Sequence, residues 1–294
     1  MKEFETILVV VHGPDDGEIV IAKAASLARG CGAKLHVARV VYEGFVDLSV
    51  HEVDDSQALK SYLMESEEAF LEDLIDGIRG EGLTTSSSVI WHKSQWQGIL
   101  DEQRESGADL VIKSTNFPVD EVIRTPQDWN LLRHSPVPVM LLKPSAWNNE
   151  PTIIAAIDVE EAEQRLLNQR IVRQASETSE CLGGHLKLLE AYPSVEHWVG
   201  PVTVAIDFNQ VRAKVRRKVT DRLASLCSDV GVSPEAMLVE EGEPSEAIER
   251  EVQGQQADIL VMGTNQRSGV QGMLLGNTSE AILHRVNCDV LVVN

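Results

Sequence analysis

Ile259-Leu260-Val261-Met262-Gly263-Thr264-Asn265-Gln266-Arg267-Ser268-Gly269-Val270-Gln271-Gly272-Met273-Leu274-Leu275-Gly276-Asn277-Thr278-Ser279 reads as a strand, a glycine-rich turn and the entry to a helix. The run from Ile259 to Met262 is apolar at every position, as expected of a strand buried on both faces of a parallel sheet. Helical spacing follows at Glu280, Ala281, Ile282 and Leu283. Strands that alternate with helices build a parallel sheet covered on both sides. The turn has chemistry of its own. Its glycines and the following helix N-terminus offer backbone N–H groups to an anion, usually a phosphate.

The strand and its neighbours are written twice in the chain. Thr6–His12 answers to Thr152–Asp158, Gly32–Val37 to Gly183–Leu188, Ala108–Lys113 to Ala257–Met262, and Val139–Leu142 to Val290–Val293. The offsets stay between about 146 and 151 residues in one order, which marks a tandem duplication. In the first half, apolar runs predict strands at 6–12, 34–41, 87–91, 109–114 and 138–142. Between them, helical faces run over 20–28, 59–78 and 97–106, and the second half adds helices near 160–178, 208–229, 244–254 and 278–286. The prediction is two Rossmann-type, flavodoxin-like α/β domains at 1–145 and 150–294, each a five-stranded mostly parallel sheet with helices on both faces. Pro144 to Pro151 supplies the linker.

The halves differ at the turn. Its first-half counterpart, starting Lys113-Ser114-Thr115-Asn116-Phe117-Pro118, has no glycine through Arg133, and Pro118 and Pro126 stiffen it. No phosphate cradle can be drawn there, so the first domain reads as degenerate. Its aromatic residues, Trp91, Trp96 and Trp129 together with the segment 45–53, are expected to fill a domain contact or to line an apolar pocket.

Composition narrows the function classes. A net charge of −20 over 294 residues argues against non-specific binding to nucleic acid or to an anionic membrane. No apolar run approaches the ~18 residues of a membrane span, so a cytoplasmic protein is expected. Cys31, Cys181, Cys227 and Cys288 form no CxxC pair and are expected as buried thiols of a reducing compartment. The chain has no G-x-S-x-G elbow, HExxH or Walker lysine motif, and no histidine pair at metal-ligand spacing. The expectation is a non-enzymatic protein without a protein-held metal. Arg212, Lys214, Arg216, Arg217 and Lys218 on the 208–229 helix are read as a solvated face backed by Val211, Val215 and Val219, the other reading being a patch for an acidic partner.

Two further stretches carry a resemblance. They are Thr125-Pro126-Gln127-Asp128-Trp129-Asn130-Leu131-Leu132-Arg133-His134-Ser135-Pro136 and Leu275–Glu280 with Cys288–Val293, and Trp91-His92 fits the same pattern. With the repeat, they make the chain similar to the universal stress protein family, and within it to the tandem-domain E type. The resemblance implies a fold of the adenine nucleotide alpha hydrolase kind and a role in bacterial stress resistance. It also implies that the final strands of the two halves, 137–142 and 288–293, pair into an intramolecular pseudo-dimer. Further homodimerisation and protein partners are left open.

Nucleotide-binding members of the family carry glycine, two residues, glycine, nine residues, then glycine followed by serine or threonine. Gly263 and Gly276 match the outer positions, Gln266 replaces the middle glycine, and Asn277 takes the hydroxyl place. Asp158 matches the aspartate that lies beside adenine, and His12 stands there in the first half. The ligand set implied for ATP with magnesium, or a related nucleotide, is Asp158, Ala191, Met262, Gly263, Asn265, Gln266, Gly276, Asn277, Thr278 and Ser279, with Glu190 at the base pocket. If Gln266 keeps a positive φ it costs roughly 1–2 kcal/mol, whereas Asn277 tolerates such geometry and adds a donor. The alternative is a turn that is structural only, in a module binding another small molecule or a protein. For Asp158 that alternative is the N-cap of a helix starting near Glu160.

Overall fold

A computed structural model of the protein describes residues 4–44, 56–80, 82–115, 126–160, 164–194, 207–264, 281–283 and 285–294. The chain divides into two compact units, Met1–Trp147 and Asn148–Asn294. Both are α/β, with parallel strands and helices between them.

The first unit runs β1 (Thr6–Val10), α1 (Pro14–Cys31), β2 (Lys34–Val41), α2 (Ser56–Ile78), β3 (Thr85–Trp91), α3 (Gln95–Ser106), β4 (Leu110–Ser114), α4 (Pro126–His134) and β5 (Val139–Leu142). Its strands lie in the order β3-β2-β1-β4-β5, every pair parallel. The second unit runs β6 (Thr152–Ile157), α5 (Arg165–Leu182), β7 (His185–Tyr192), α6 (Phe208–Val230), β8 (Met237–Glu241), α7 (Pro244–Gly254), β9 (Ile259–Gly263) and β10 (Asp289–Val293). Its order β8-β7-β6-β9-β10 repeats the first, again parallel throughout.

Near-continuous apolar runs produce the inner strands β1, β6 and β9, as expected where both sheet faces are covered. Every residue of β4, β5 and β10 is buried. Helices bury one stripe each. On α6 it is Val219, Leu223, Leu226 and Cys227, at the i, i+4, i+7, i+8 spacing of one helix face. The α5–β7 turn shows how tightly the layers close. Gly183 ends α5 at φ 62°, and a Cβ on the next residue, Gly184, would lie 2.2 Å from the carbonyl oxygen of Pro151. Only glycine fits there.

The duplication extends to individual hydrogen bonds. Asp109, just before β4, accepts with its carboxylate from the backbone N–H of Glu5 (2.7 Å), and its own N–H donates to the Thr6 carbonyl (2.9 Å). Asp258, just before β9, accepts from Thr152 N–H (2.8 Å), and its N–H donates to the Thr152 carbonyl (2.9 Å). At the other strand ends, Thr115 N–H meets the Leu142 carbonyl and Thr264 N–H the Val293 carbonyl, both at 2.9 Å.

Three expectations need correction. The segment around Trp129 holds a helix, α4, where only a stiffened stretch was expected; Pro126 starts it, at the one helical position where a missing N–H costs nothing. Helix α5 starts at Arg165, not near residue 160. Cys227 and Cys288 are buried and form no disulfide, but Cys31 and Cys181 are not thiols. Trp91 and Trp96 pack within the first unit, Trp91 against Tyr42 at 5.8 Å and Trp96 stacked on His134 at 5.0 Å. Residues 45–53 lie outside the described residues.

Candidate functional site

In an open parallel sheet, a crevice forms beyond the carboxyl ends of the strands where the strand order reverses. In the second unit that place is the end of β6, with β7 on one side and β9 on the other. A cavity of about 170 Å³ lies there. Strand ends contribute Asp158, Ala191, Met262 and Gly263 to its wall, so three strand ends far apart in sequence meet in one pocket. Leu167, Asn168 and Ile171 of α5 and Ile248 of α7 close the sides, and Ile282 reaches it from the last helical stretch. Asn265, Gln266, Gly276, Asn277, Thr278 and Ser279 lie outside the described residues, as do Arg267, Gly269 and Gly272.

The position of Asp158 is set by a residue that sequence reasoning did not identify. Asn168, buried on α5, donates from Nδ2 to the Asp158 carbonyl at 2.6 Å and accepts the Asp158 N–H at 3.2 Å. One side-chain amide thus grips both backbone groups of the aspartate. The carboxylate of Asp158 is left exposed at the mouth, and its Oδ1 accepts the N–H of Glu160 at 3.0 Å. Asp158 therefore caps the turn that follows β6 rather than α5 itself. The only sequence sign of Asn168 is a polar residue on the apolar stripe of an amphipathic helix.

Glu190 stands one residue before Ala191 and is 1% exposed. Its Oε2 accepts the N–H of Val159 at 3.0 Å. Burial pushes its carboxyl up to about 8; the Val159 hydrogen bond opposes this, the charges of Asp158 and Glu160 add to it, and Arg222 opposes it. At neutral pH the side chain is mostly a neutral acid. The loop after β6 is consequently tied to α5 by Asn168 and to β7 by Glu190.

Gly263 has a packing role in addition to any ligand role. A Cβ there would come within 2.8 Å of Leu167 Cδ2 and 2.9 Å of Ile171 Cδ1. Its φ is not positive. Glycine at this strand end lets α5 approach the sheet.

The first unit fills the corresponding place differently. The strand pairing sets Lys113 of β4 where β9 has Met262, and Ser114 where β9 has Gly263. The ammonium of Lys113 lies 2.7 Å from Asp128 Oδ1 of α4, both side chains nearly inaccessible at 5% and 2%. It also donates to the Ser114 carbonyl at 3.1 Å. His12, the counterpart of Asp158, has its Nδ1 3.0 Å from the side-chain amide of Gln95. Paired polar side chains occupy the strand ends there.

The universal stress protein family model matches residues 3–143 and again 151–294. Universal stress protein E of Escherichia coli strain K12 is 27% identical, over all of this chain and 95% of its own length. The Haemophilus influenzae homologue of that protein is 25% identical over 98% of this chain and 97% of its own. A solved structure from Pseudomonas aeruginosa UCBPP-PA14, described as of a universal stress protein, superposes with a TM-score of 0.72 at 27% identity, covering 99% of this chain and 93% of that one. With both halves matched, the chain belongs to the universal stress protein family as a tandem of two of its domains.

Proposed function

We propose that the second unit binds ATP or a related adenine nucleotide with magnesium, that the first unit does not, and that occupancy alters how a cytoplasmic stress-response protein engages its partners. The observation carrying this reading is the meeting of Asp158, Ala191, Met262 and Gly263 around one cavity at the strand-order reversal. Ala191, Met262, Ile248 and Ile282 give a flat base an apolar wall. The exposed Asp158 carboxylate offers an acceptor for an exocyclic amine. The carboxylates of Asp158 and Glu160 make that end unfavourable for phosphates, which are directed instead to the turn starting at Gly263. Magnesium would come with the phosphates. The role in this reading is binding.

One observation favours the other reading, a module that binds a different small molecule or a protein partner. Leu167 and Ile171 account for Gly263 by packing alone. Thermal melts of the purified protein with magnesium and ATP separate the two. A rise in Tm that Gly276→Val removes and Thr115→Val leaves intact is expected for the nucleotide reading. No shift at millimolar ATP, or equal effects of both substitutions, selects the other.

A further inference from the structure

The duplicated helices α2 and α6 hold equivalent places in the two units, each following the second strand, yet they carry opposite charge. Helix α2 has six carboxylates, Glu65, Glu67, Glu68, Glu72, Asp73 and Asp76, against the single Lys60. Helix α6 has six cations, Arg212, Lys214, Arg216, Arg217, Lys218 and Arg222, against Asp221 and Asp229. In a chain of net charge −20, six of the 26 lysines and arginines are thus gathered on one 23-residue helix. That concentration is not the scatter of a merely solvated face.

Helical periodicity and exposure agree on which residues face outward. On α6, Lys214, Arg217 and Lys218 are exposed, follow i, i+3, i+4 spacing, and line one groove with Asp221, Arg222 and Ser225. Arg212 points elsewhere, toward Glu241 at 3.4 Å. On α2, Glu65, Glu72, Asp73 and Asp76 share the exposed face, and Glu67 is turned to Arg39 at 2.8 Å. Tyr62, 67% exposed, stands on that same acidic face. An exposed aromatic ring among carboxylates can lie against lysine and arginine stems and attract their charged heads.

We propose that these faces are the two halves of one interface, in which α6 of one copy of the chain docks on α2 of a second copy. Two copies of so acidic a protein repel one another at long range. Contact is favourable only where a basic stripe meets an acidic one, which fixes both the face and the pairing. Each copy supplies both surfaces, so the complementary partner is always present at the concentration of the protein itself.

Charge reversal tests this in a way that net charge cannot imitate. Lys214→Glu, Arg217→Glu and Lys218→Glu together take the chain from −20 to −26, and Glu65→Lys, Glu72→Lys and Asp73→Lys together take it to −14. Sedimentation equilibrium of the full chain and both triple variants reads the outcome, with circular dichroism to confirm folding. The wild type self-associates, and each variant alone loses at least about tenfold in association constant. An equimolar mixture of the two variants associates again, because one then presents two acidic helices and the other two basic ones. A monomeric wild type overturns the proposal. So does tighter association of the −14 variant alone, which is the result of long-range repulsion, or a mixture that stays dissociated.

Discussion

The strand ends of the two units share a backbone and differ in what stands on it. The aspartate clamps at Asp109 and Asp258, and the threonine N–H bonds at Thr115 and Thr264, are the same in both. In the first unit a buried lysine and aspartate pair at the end of β4; in the second, the lysine's register position is Met262, which lines a cavity. A duplicated scaffold can therefore place different chemistry at the same strand end through a few side chains, with no change in strand order.

The comparison breaks most visibly at the ion pair. Asp128→Ala leaves the Lys113 ammonium buried without its carboxylate, and a loss of about 3–5 kcal/mol in urea unfolding is expected. Replacing both, Lys113→Met with Asp128→Leu, gives the first unit the apolar character of the second and recovers most of that loss. Full recovery would identify the pair as filling rather than as a source of stability.

The buried acid of the second unit gives a smaller effect, of the order of a few kcal/mol, with a definite sign. Glu190 has a folded-state pKa near 8, above the 4.5 of an ordinary glutamate, so the native state holds the extra proton between those values. Its contribution is fully present below about pH 4.5 and is lost as pH rises through 8. Stability measured from pH 5 to 9 should fall more steeply in the wild type than in Glu190→Gln. Equal slopes would remove Glu190 as the cause.

Asn168→Ala should cost about 1–2 kcal/mol by releasing the two backbone groups of Asp158, and should weaken magnesium–ATP binding several-fold. In the first unit, Gln95→Ala removes the amide contact to His12 Nδ1 and should leave that binding unchanged. Loss of binding in both variants would mean the pockets are not independent.

The sheets were readable because β1 and β5 are unbroken apolar or β-branched runs and because the repeat checks each strand against its copy. Helix α7 was bounded correctly, Pro244 opening it and Gly254 ending it. Helix α4 escaped because it is only nine residues long and its starting proline reads as stiffening a loop. Asp158, Ala191, Met262 and Gly263 came from aligning the halves to a motif, which locates strand ends. Asn168 could not be found that way: its role depends on a helix folding back over the loop ten residues earlier, a tertiary contact without a local signature. The Lys113–Asp128 pair is hidden for the same reason, and Gln95 reaching His12 across 83 residues more so.

The account stands or falls on one pocket per chain. Isothermal titration of the full chain with magnesium–ATP, repeated on Met262→Lys and His12→Asp, measures this directly. One site per chain is expected, abolished by the lysine that stands at this position in the first unit and untouched by the aspartate placed there. Two sites, or a single site insensitive to Met262→Lys, would contradict it.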